Sequence, residues 1–289
     1  MSARFGPAGN SESFRKMGYK KTLDVPDYLV KMGLNHYEYQ CGRGVRISEE
    51  QAKAFGEKSR EQGISLSLHA PYYISLSGIE EEKRLGSIEY ILQSVRAAKA
   101  MGAQRVVVHS GSCAKLSREA ALELSKDTLR RALEALDAEG LGNVALCPET
   151  MGKTGQLGTL EEVLELCKTD DRLIPCIDFG HLYARTFGAL NGSEGYEKIL
   201  TSTRNALGED RMRVFHSHFS RIAFTETGGE KMHLTFADEE FGPEYPPLLE
   251  WIDRWNLSPI IVCESAGTQA EDAKAMKEFY EQLHSPSII

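Results

Sequence analysis

The feature that most constrains this chain is a regular alternation of short apolar segments with longer helical patterns, which runs through almost the whole sequence. The short segments predict eight β-strands, at residues 4–5, 35–39, 64–69, 105–109, 143–149, 173–178, 212–218 and 259–264. The segments between them predict helices, most clearly at residues 48–62, 80–101, 117–139, 160–168, 195–207 and 270–283. Eight strands that alternate with helices are typical of a (β/α)8 TIM barrel, and the length allows about 36 residues for each unit. We therefore predict an α/β fold in which residues 1–289 form a single barrel domain.

An open, doubly wound parallel sheet is the competing α/β fold. Such a sheet usually carries a glycine-rich turn directly after its first strand, where a helix begins. The segment GPAGN at residues 6–10 lacks the third glycine of that turn, and no clear helix start follows it. The barrel is therefore the favoured architecture.

The composition excludes several classes of protein. With 41% hydrophobic residues the chain can bury a large core, which excludes a largely disordered protein. No apolar run approaches the roughly 20 residues that span a bilayer, and the N-terminus has no apolar signal segment. The six cysteines include no C-x-x-C pair, so we expect a protein of the reducing cytoplasm with no membrane partner.

Six of the predicted strands end in a side chain that can bind a metal ion. They are His69, His109, Glu149, Asp178, His218 and Glu264. Consecutive strand ends of a barrel surround one mouth, so residues far apart in sequence converge there. Packing carboxylates and imidazoles together without a counter-charge is costly, and divalent cations supply one. The sequence therefore predicts a metal centre at the C-terminal mouth of the barrel.

Further histidines fall in the same predicted region. His181 lies just past the sixth strand, His216 shares a strand face with His218, and His233 lies in a loop. This number of mixed nitrogen and oxygen ligands indicates more than one ion, with zinc or manganese favoured over magnesium. Glu149 is placed to bridge two ions, and closely spaced ions are suited to phosphoryl transfer.

Six segments carry a family resemblance: LHAPYYISL, VVVHSGS, CPETMGKTGQLG, CIDFGHLYA, HSHF and IVCESA. In order and spacing they resemble the endonuclease IV family (AP endonuclease family 2), which belongs to the xylose-isomerase-like TIM barrels. The resemblance implies a metal-dependent phosphodiesterase that cuts DNA 5′ to apurinic/apyrimidinic sites in base excision repair. It also implies Zn²⁺ as the cofactor, with Mn²⁺ or Fe accepted by the same ligands, and abasic DNA as the partner of a monomeric enzyme.

Position by position, the resemblance implies three sets of zinc ligands. The ligands of the first zinc correspond to His69, His109 and Glu149. Those of the second correspond to Glu149, Asp178, His218 and Glu264, and two ligands of the third correspond to His181 and His233. The family has an aspartate two residues before the last histidine, where this chain has Lys231, which cannot bind a metal while protonated. Glu230 would take the place of this aspartate if the loop shifts, so the resemblance leaves open whether the site binds two or three ions.

Contacts to DNA would come from loops around the mouth. Tyr72 matches an aromatic residue that contacts DNA in the family, although it would equally serve to cover the mouth. Arg43 and Arg46 occupy the place of a DNA-recognition loop and would hold phosphates. Lys153 and Arg185, after the fifth and sixth strands, would add phosphate contacts.

Three functions remain open from the sequence. In the first, DNA hydrolysis, Glu149 and Glu264 are the catalytic pair: Glu149 holds the ions and Glu264 orients the attacking water. The second is a sugar isomerase or epimerase of the same superfamily, which needs one divalent ion and moves a proton next to a carbonyl. The third is a protein that binds abasic DNA without cutting it. The net charge of −8 argues against a nucleic-acid partner unless bound ions reverse the sign locally.

Overall fold

The computed structural model describes residues 2–284, and an eight-stranded parallel barrel lies at its centre. The strands are β1 (Arg4–Pro7), β2 (His36–Gln40), β3 (Ser65–His69), β4 (Arg105–His109), β5 (Ala145–Glu149), β6 (Cys176–Asp178), β7 (His216–Phe219), β8 (Ile222–Thr225), β9 (Gly229–His233) and β10 (Ile260–Cys263). The barrel contains all of these except β8 and β9, which pair with each other as an antiparallel hairpin.

Helices connect the strands and cover the barrel. They are α1 (Glu12–Lys16), α2 (Val25–Met32), α3 (Glu49–Glu61), α4 (Glu81–Met101), α5 (Arg118–Ala138), α6 (Leu160–Cys167), α7 (Phe179–Arg185), α8 (Gly192–Arg213), α9 (Pro246–Arg254) and α10 (Gln269–His284). Local sequence sets where several of them start: Ser48 and Gln51 form a capping box at α3, and Thr159 and Glu162 form one at α6. The apolar faces of these helices pack on the strands to form the main hydrophobic core.

The barrel is nearly closed. The hydrogen-bonded strand order is β1-β10-β7-β6-β5-β4-β3-β2, and β1 meets β2 at a single parallel bridge between Ala8 and Glu38. Gly6 makes this approach possible, because a Cβ there would collide with the carbonyl group of His36. The predicted fold is therefore confirmed.

Two predicted strand starts were wrong. The strand predicted at residues 173–178 starts only at Cys176. The strand predicted at residues 212–218 starts only at His216, because α8, after a break in helical geometry at Gly208 (φ 83°), continues to Arg213. Met212 is fully buried against the core from this helix, and a short apolar run has no periodicity that separates a helix end from a strand. The helix predicted at residues 195–207 starts earlier, at Gly192, and its predicted end coincides with the break at Gly208.

Within residues 2–284, none of the helices is long and apolar enough to cross a bilayer.

Candidate metal centre

The predicted strand-end residues form a layer at the C-terminal mouth of the barrel, and two pairs of them are in direct register on neighbouring parallel strands. His109 pairs with Glu149, and Asp178 pairs with His218. His69 ends the adjacent strand β3. The structure thus brings together, at the C-terminal mouth of the barrel, side chains that are up to two hundred positions apart in the sequence.

Glu149 is at the middle of this layer and is buried. Its Oε2 lies 3.4 Å from Nε2 of both His69 and His109, and its Oε1 lies 2.8 Å from Nδ1 of His218. The Nδ1 of His69 donates to the carbonyl oxygen of Ala70 at 2.7 Å, so Nε2 is the nitrogen presented to the mouth. Glu149 therefore has one oxygen directed at two imidazoles and the other at a third, which is the arrangement of a bridging carboxylate.

Four ligand atoms, one each from Glu149, Asp178, His218 and Glu264, all lie within 4.8 Å of one another. Asp178 is fully buried; its Oδ1 accepts a hydrogen bond from the backbone N–H of His181 at 2.7 Å. Its Oδ2 accepts no hydrogen bond from any residue in the described range 2–284, and the Nδ1 of His181, which lies 3.1 Å from it, donates to the Thr150 carbonyl oxygen instead. A buried carboxylate oxygen without a hydrogen bond is costly, and a divalent cation would satisfy it. The donor set therefore fits a metal ion.

The site is strongly polarised even apart from an ion. Burial opposes the charge on Glu149, but the surrounding imidazoles outweigh it and hold the pKa of this carboxyl well below its usual range. Burial raises the pKa of Asp178 and lowers the pKa of His109 to about 4. At His69, burial is outweighed by the Glu149 carboxylate, which raises the imidazole pKa to about 9. Ions bound here would compete with protons for these nitrogens.

A second group of ligands comes from α7 and the β8–β9 hairpin. The Nε2 of His181 lies 3.5 Å from Oε2 of Glu230, and the Nε2 of His233 lies 3.8 Å from Oε1 of the same carboxylate. The other ring nitrogens are engaged: His181 Nδ1 donates to the Thr150 carbonyl oxygen, and His233 Nδ1 bonds the Ser220 hydroxyl, both at 2.8 Å. Both rings thus present Nε2 to the same small volume.

A β-bulge places Glu230 in this group. In β9, Glu230 is paired with Phe224 and Met232 with Ala223, so Lys231 is an extra residue without a partner in β8. In a regular strand, residues 230 and 233 would point to opposite faces. The extra residue restores them to the same face and leaves Lys231 exposed to solvent. This is the loop shift that the sequence left open.

Gly152 leaves room for this second group. A Cβ at that position would lie 2.6 Å from Cβ of Glu230 and 2.8 Å from Cδ2 of His181. The hairpin approaches closely at the same place, where the backbone N–H of Glu230 donates to the Gly152 carbonyl oxygen at 3.1 Å. Any larger residue would displace one of the ligands.

The two groups share one cavity of about 370 Å³ at the barrel mouth. Its walls include His69, His109, Glu149, Glu264 and the second ligand group, whereas Asp178 and His218 are fully buried beneath it. Tyr72 also lines this cavity and is 60% exposed.

Arg43 and Arg46 are exposed in the loop between β2 and α3, and Gly42 of this loop lines the cavity. Neither guanidinium has a hydrogen-bond or ion-pair partner within residues 2–284. The loop reaches the mouth at Gly42, where an added Cβ would be 3.6 Å from the ring of Tyr72. Both arginines are therefore available to a ligand at the rim.

Arg185, for which the sequence predicted a phosphate contact, is largely engaged by the protein itself. Its guanidinium donates to the carbonyl oxygens of Met151, Lys153, Thr154 and Gln156, at 2.7 to 3.2 Å. Arg185 therefore fixes the loop after β5, and both of its Nη groups are directed at carbonyl oxygens of that loop.

Sequence reasoning missed Glu38 and misplaced His216. Both are fully buried, one layer below the rim, where the Nε2 of His216 lies 2.9 Å from Oε2 of Glu38. The only signal was a charged residue in the middle of the predicted strand β2, since a buried strand rarely holds one without a partner.

Comparisons with known proteins agree with this architecture. The model of the xylose isomerase-like TIM-barrel family matches residues 26–283. An uncharacterised protein of Methanocaldococcus jannaschii is 35% identical over 255 residues, covering 88% of this chain and 90% of that protein. A probable endonuclease 4 of a Sulfurihydrogenibium species is 26% identical over 196 residues, covering 66% of this chain and 68% of that protein.

Solved structures show the same fold. Endonuclease IV of Thermus thermophilus superposes with a TM-score of 0.68 at 20% identity, over 96% of this chain and 99% of that one. A D-tagatose 3-epimerase-like protein superposes with a TM-score of 0.70, also at 20% identity, over 97% of each chain. At these identities the likeness concerns the fold, which both kinds of enzyme share.

Proposed function

We propose that this chain, which belongs to the xylose isomerase-like TIM-barrel family, is a metal-dependent phosphodiesterase that cuts DNA 5′ to abasic sites. The observation that carries the proposal is the second ligand group, His181, Glu230 and His233, beside the four-ligand group. A sugar isomerase would need only the four-ligand group. Curated relatives named as probable endonuclease 4 give independent support.

The ions would be held by two sets of residues that share the cavity. The first set is His69, His109, Glu149, Asp178, His218 and Glu264, and the second is His181, Glu230 and His233. We assign Zn²⁺, because imidazole nitrogens and carboxylate oxygens suit it, with Mn²⁺ or Fe as alternatives. Divalent ions in such sites stabilise the attacking and the departing oxygen during displacement at phosphorus.

The protein residues supply position and proton handling. Glu149 is buried and contacted by three histidines, so its carboxylate is fixed in the middle of the site. Glu264 lies on the cavity wall, where its carboxylate can accept a hydrogen bond from a water molecule and direct it toward the phosphate. These roles match the proposed catalytic pair.

DNA would bind at the rim of the cavity. Arg43 and Arg46 are exposed and unpaired within the described chain, so they can contact phosphates. Tyr72 presents an exposed ring at the cavity wall. A nucleotide that has lost its base is cheap to turn out of the duplex and would enter a cavity of this size. Bound ions would offset the carboxylates that contribute to the net charge of −8.

The direct test is an incision assay on a duplex oligonucleotide with a single tetrahydrofuran abasic analogue. We expect one cut, 5′ to the lesion, by the zinc-loaded protein and no cut in the undamaged duplex. Removal of the ions with a chelator, verified by elemental analysis, should abolish incision, and added Zn²⁺ should restore it. Glu149→Gln should lower kcat/KM by at least about 1,000-fold, because the carboxylate at the centre of the first ligand set is lost.

The matched control is Glu165→Gln, which makes the same change at an exposed position of α6. It should leave incision unchanged. Undiminished incision after verified ion removal would contradict the metal-dependent mechanism. Binding of the abasic duplex without product would instead support the non-catalytic alternative.

A sugar isomerase or epimerase is the second candidate. It is favoured by the compact group of Glu149, Asp178, His218 and Glu264, which by itself could hold one ion. The structural likeness to a D-tagatose 3-epimerase-like protein is compatible with it. One ion per chain, with no incision of abasic DNA, would favour this candidate.

A further inference from the structure

Beneath the rim, the interior of the barrel contains a fully buried carboxylate. Glu38 lies in the middle of β2 and has no exposed surface. Its Oε1 lies 2.9 Å from Nε2 of His218, and its Oε2 lies 2.9 Å from Nε2 of His216 and accepts from the Ser67 hydroxyl at 2.8 Å. An interior of this kind normally holds apolar side chains, because burying a carboxylate costs several kcal/mol unless it is well paired.

The contact to His218 determines which ring nitrogen faces the mouth. A carboxylate oxygen only accepts hydrogen bonds, so the Nε2 of His218 that faces Glu38 must carry a proton. The Nδ1 that faces Glu149 carries one as well until an ion takes its place, because metal binding releases the proton of the binding nitrogen. The Nδ1 is then directed into the four-ligand group, at 2.8 Å from Oε1 of Glu149 and 3.7 Å from Oε1 of Glu264. Rotating the ring would remove both contacts at once.

Glu38 is itself held on its other side. His216 and Ser67 bind the same oxygen, Oε2, so Oε1 is fixed toward His218. Ser67 in turn bonds Nε2 of His36 at 2.9 Å, and Nδ1 of His36 bonds the Ser65 hydroxyl at 2.8 Å. Strands β2, β3 and β7 thus contribute to one rigid polar network below the site.

We propose that Glu38 is a positioning residue for the metal centre, which sets the orientation and the protonated nitrogen of His218 so that Nδ1 binds an ion. This inference rests on the proposed metal site, but it does not depend on the substrate or on the reaction. Carboxylates that accept from the outer nitrogen of a metal-binding histidine raise the basicity of the inner one and fix its direction. The network of His216, Ser67 and His36 keeps Glu38 in that position.

The test compares metal affinity in three variants by counting free Mn²⁺ with electron paramagnetic resonance. Glu38→Gln keeps the size of the side chain but removes its charge, so an amide oxygen that still faces His218 no longer raises the basicity of Nδ1. We expect a 10- to 100-fold rise in the Kd for Mn²⁺, the loss typical for such outer contacts. Glu38→Asp keeps the charge with a shorter reach and should recover part of the affinity.

The control for a general loss of stability is Tyr28→Phe. Tyr28 is fully buried on α2 and bonds the Ser13 hydroxyl at 2.7 Å, away from the mouth. This variant should melt at a lower temperature and bind Mn²⁺ as the wild type does. All titrations are made well below the lowest unfolding temperature, so reduced affinity cannot be a consequence of unfolding.

The outcomes separate this inference from the proposed function. If Glu38→Gln binds Mn²⁺ within twofold of the wild type, the positioning role is wrong even if abasic DNA is cut. If the wild type binds ions and the variant loses affinity but no DNA is cut, the role of Glu38 stands and the nuclease proposal fails. A wild type that binds no divalent ion would overturn both.

Discussion

Glu230 and Lys231 are neighbours with opposite surroundings, and one extra residue in a strand accounts for the difference. The bulge in β9 turns Glu230 toward His181 and His233 and leaves Lys231 in solvent. The sequence could predict the histidines, because strand ends and their spacing are visible in it. It could not predict the bulge, since a bulge is a property of the pairing between two strands.

Because of the bulge, we expect substitutions of Glu230 and of Lys231 to have opposite effects on metal binding and incision. Glu230→Gln should reduce the number of bound ions by one and lower incision of abasic DNA by about 100-fold or more, since an amide cannot replace a charged ligand. Lys231→Ala is the matched control one residue away and should change neither quantity by more than about twofold, because its side chain points into solvent. The reverse pattern, with Lys231 essential and Glu230 dispensable, would mean that the hairpin register is different.

The role of Glu38 could not be predicted from its position in the sequence. The rule that strand ends surround a barrel mouth found the rim residues, but it says nothing about a charge in the middle of a strand. The partners of Glu38, His216 and His218, lie far from it in the sequence and meet it only across the barrel. Its role therefore becomes visible only with the three-dimensional structure.

Among the elements, the loop at residues 151–158 is held by two arginines. Arg118 binds both carboxylate oxygens of Glu162, at 2.6 and 2.7 Å, and donates to two carbonyl oxygens of the loop. Arg185 donates to the loop from the other side. The loop in turn pairs with the β8–β9 hairpin, so the position of the second ligand group depends on this arrangement.

Replacing the carboxylate of Glu162 should therefore reduce stability in a pH-dependent way. Burial opposes its charge, but Arg118 and two backbone N–H groups outweigh this and lower the pKa of Glu162. A carboxyl with a lowered pKa in the folded state stabilises the protein above its ordinary pKa, and this contribution is lost as the pH falls through the lowered value. Glu162→Gln should cost about 2 kcal/mol at pH 7, the value of hydrogen bonds to charged groups.

Urea unfolding of the two proteins tests this, and the difference between them should shrink below about pH 4.5, the ordinary pKa. Glu165→Gln, on the same helix but exposed, should show little difference at any pH. A difference between wild type and Glu162→Gln that stays constant from neutral to acid pH would rule out the ion pair as its cause.

The long helices were predictable because their periodicity extends over many residues, as in α4 and α5, and most strands were predictable as short apolar runs between them. The short helices were not predictable. Helix α7 has seven residues and begins directly after β6, with Asp178 serving both as its N-cap and as a candidate ligand. In such a segment the tertiary contacts, and not the periodicity, decide the structure.

At the scale of the whole molecule, the barrel explains why distant residues meet but does not determine the reaction. Endonuclease IV and epimerase-like structures superpose on this chain about equally well. The order of strands and helices was sufficient to predict the fold, since few architectures accommodate eight βα units. What distinguishes the candidate functions is the content of the mouth, and in particular whether it holds one ion or more.

The central claim is that the residues at the mouth bind more than one divalent ion. The most direct measurement is elemental analysis of the protein after loading with Zn²⁺ and removal of unbound metal, expressed as ions per chain. We predict two or three ions, with the number reduced in Glu149→Gln. A protein that retains no zinc, or retains a single ion that Glu149→Gln does not affect, would contradict this account.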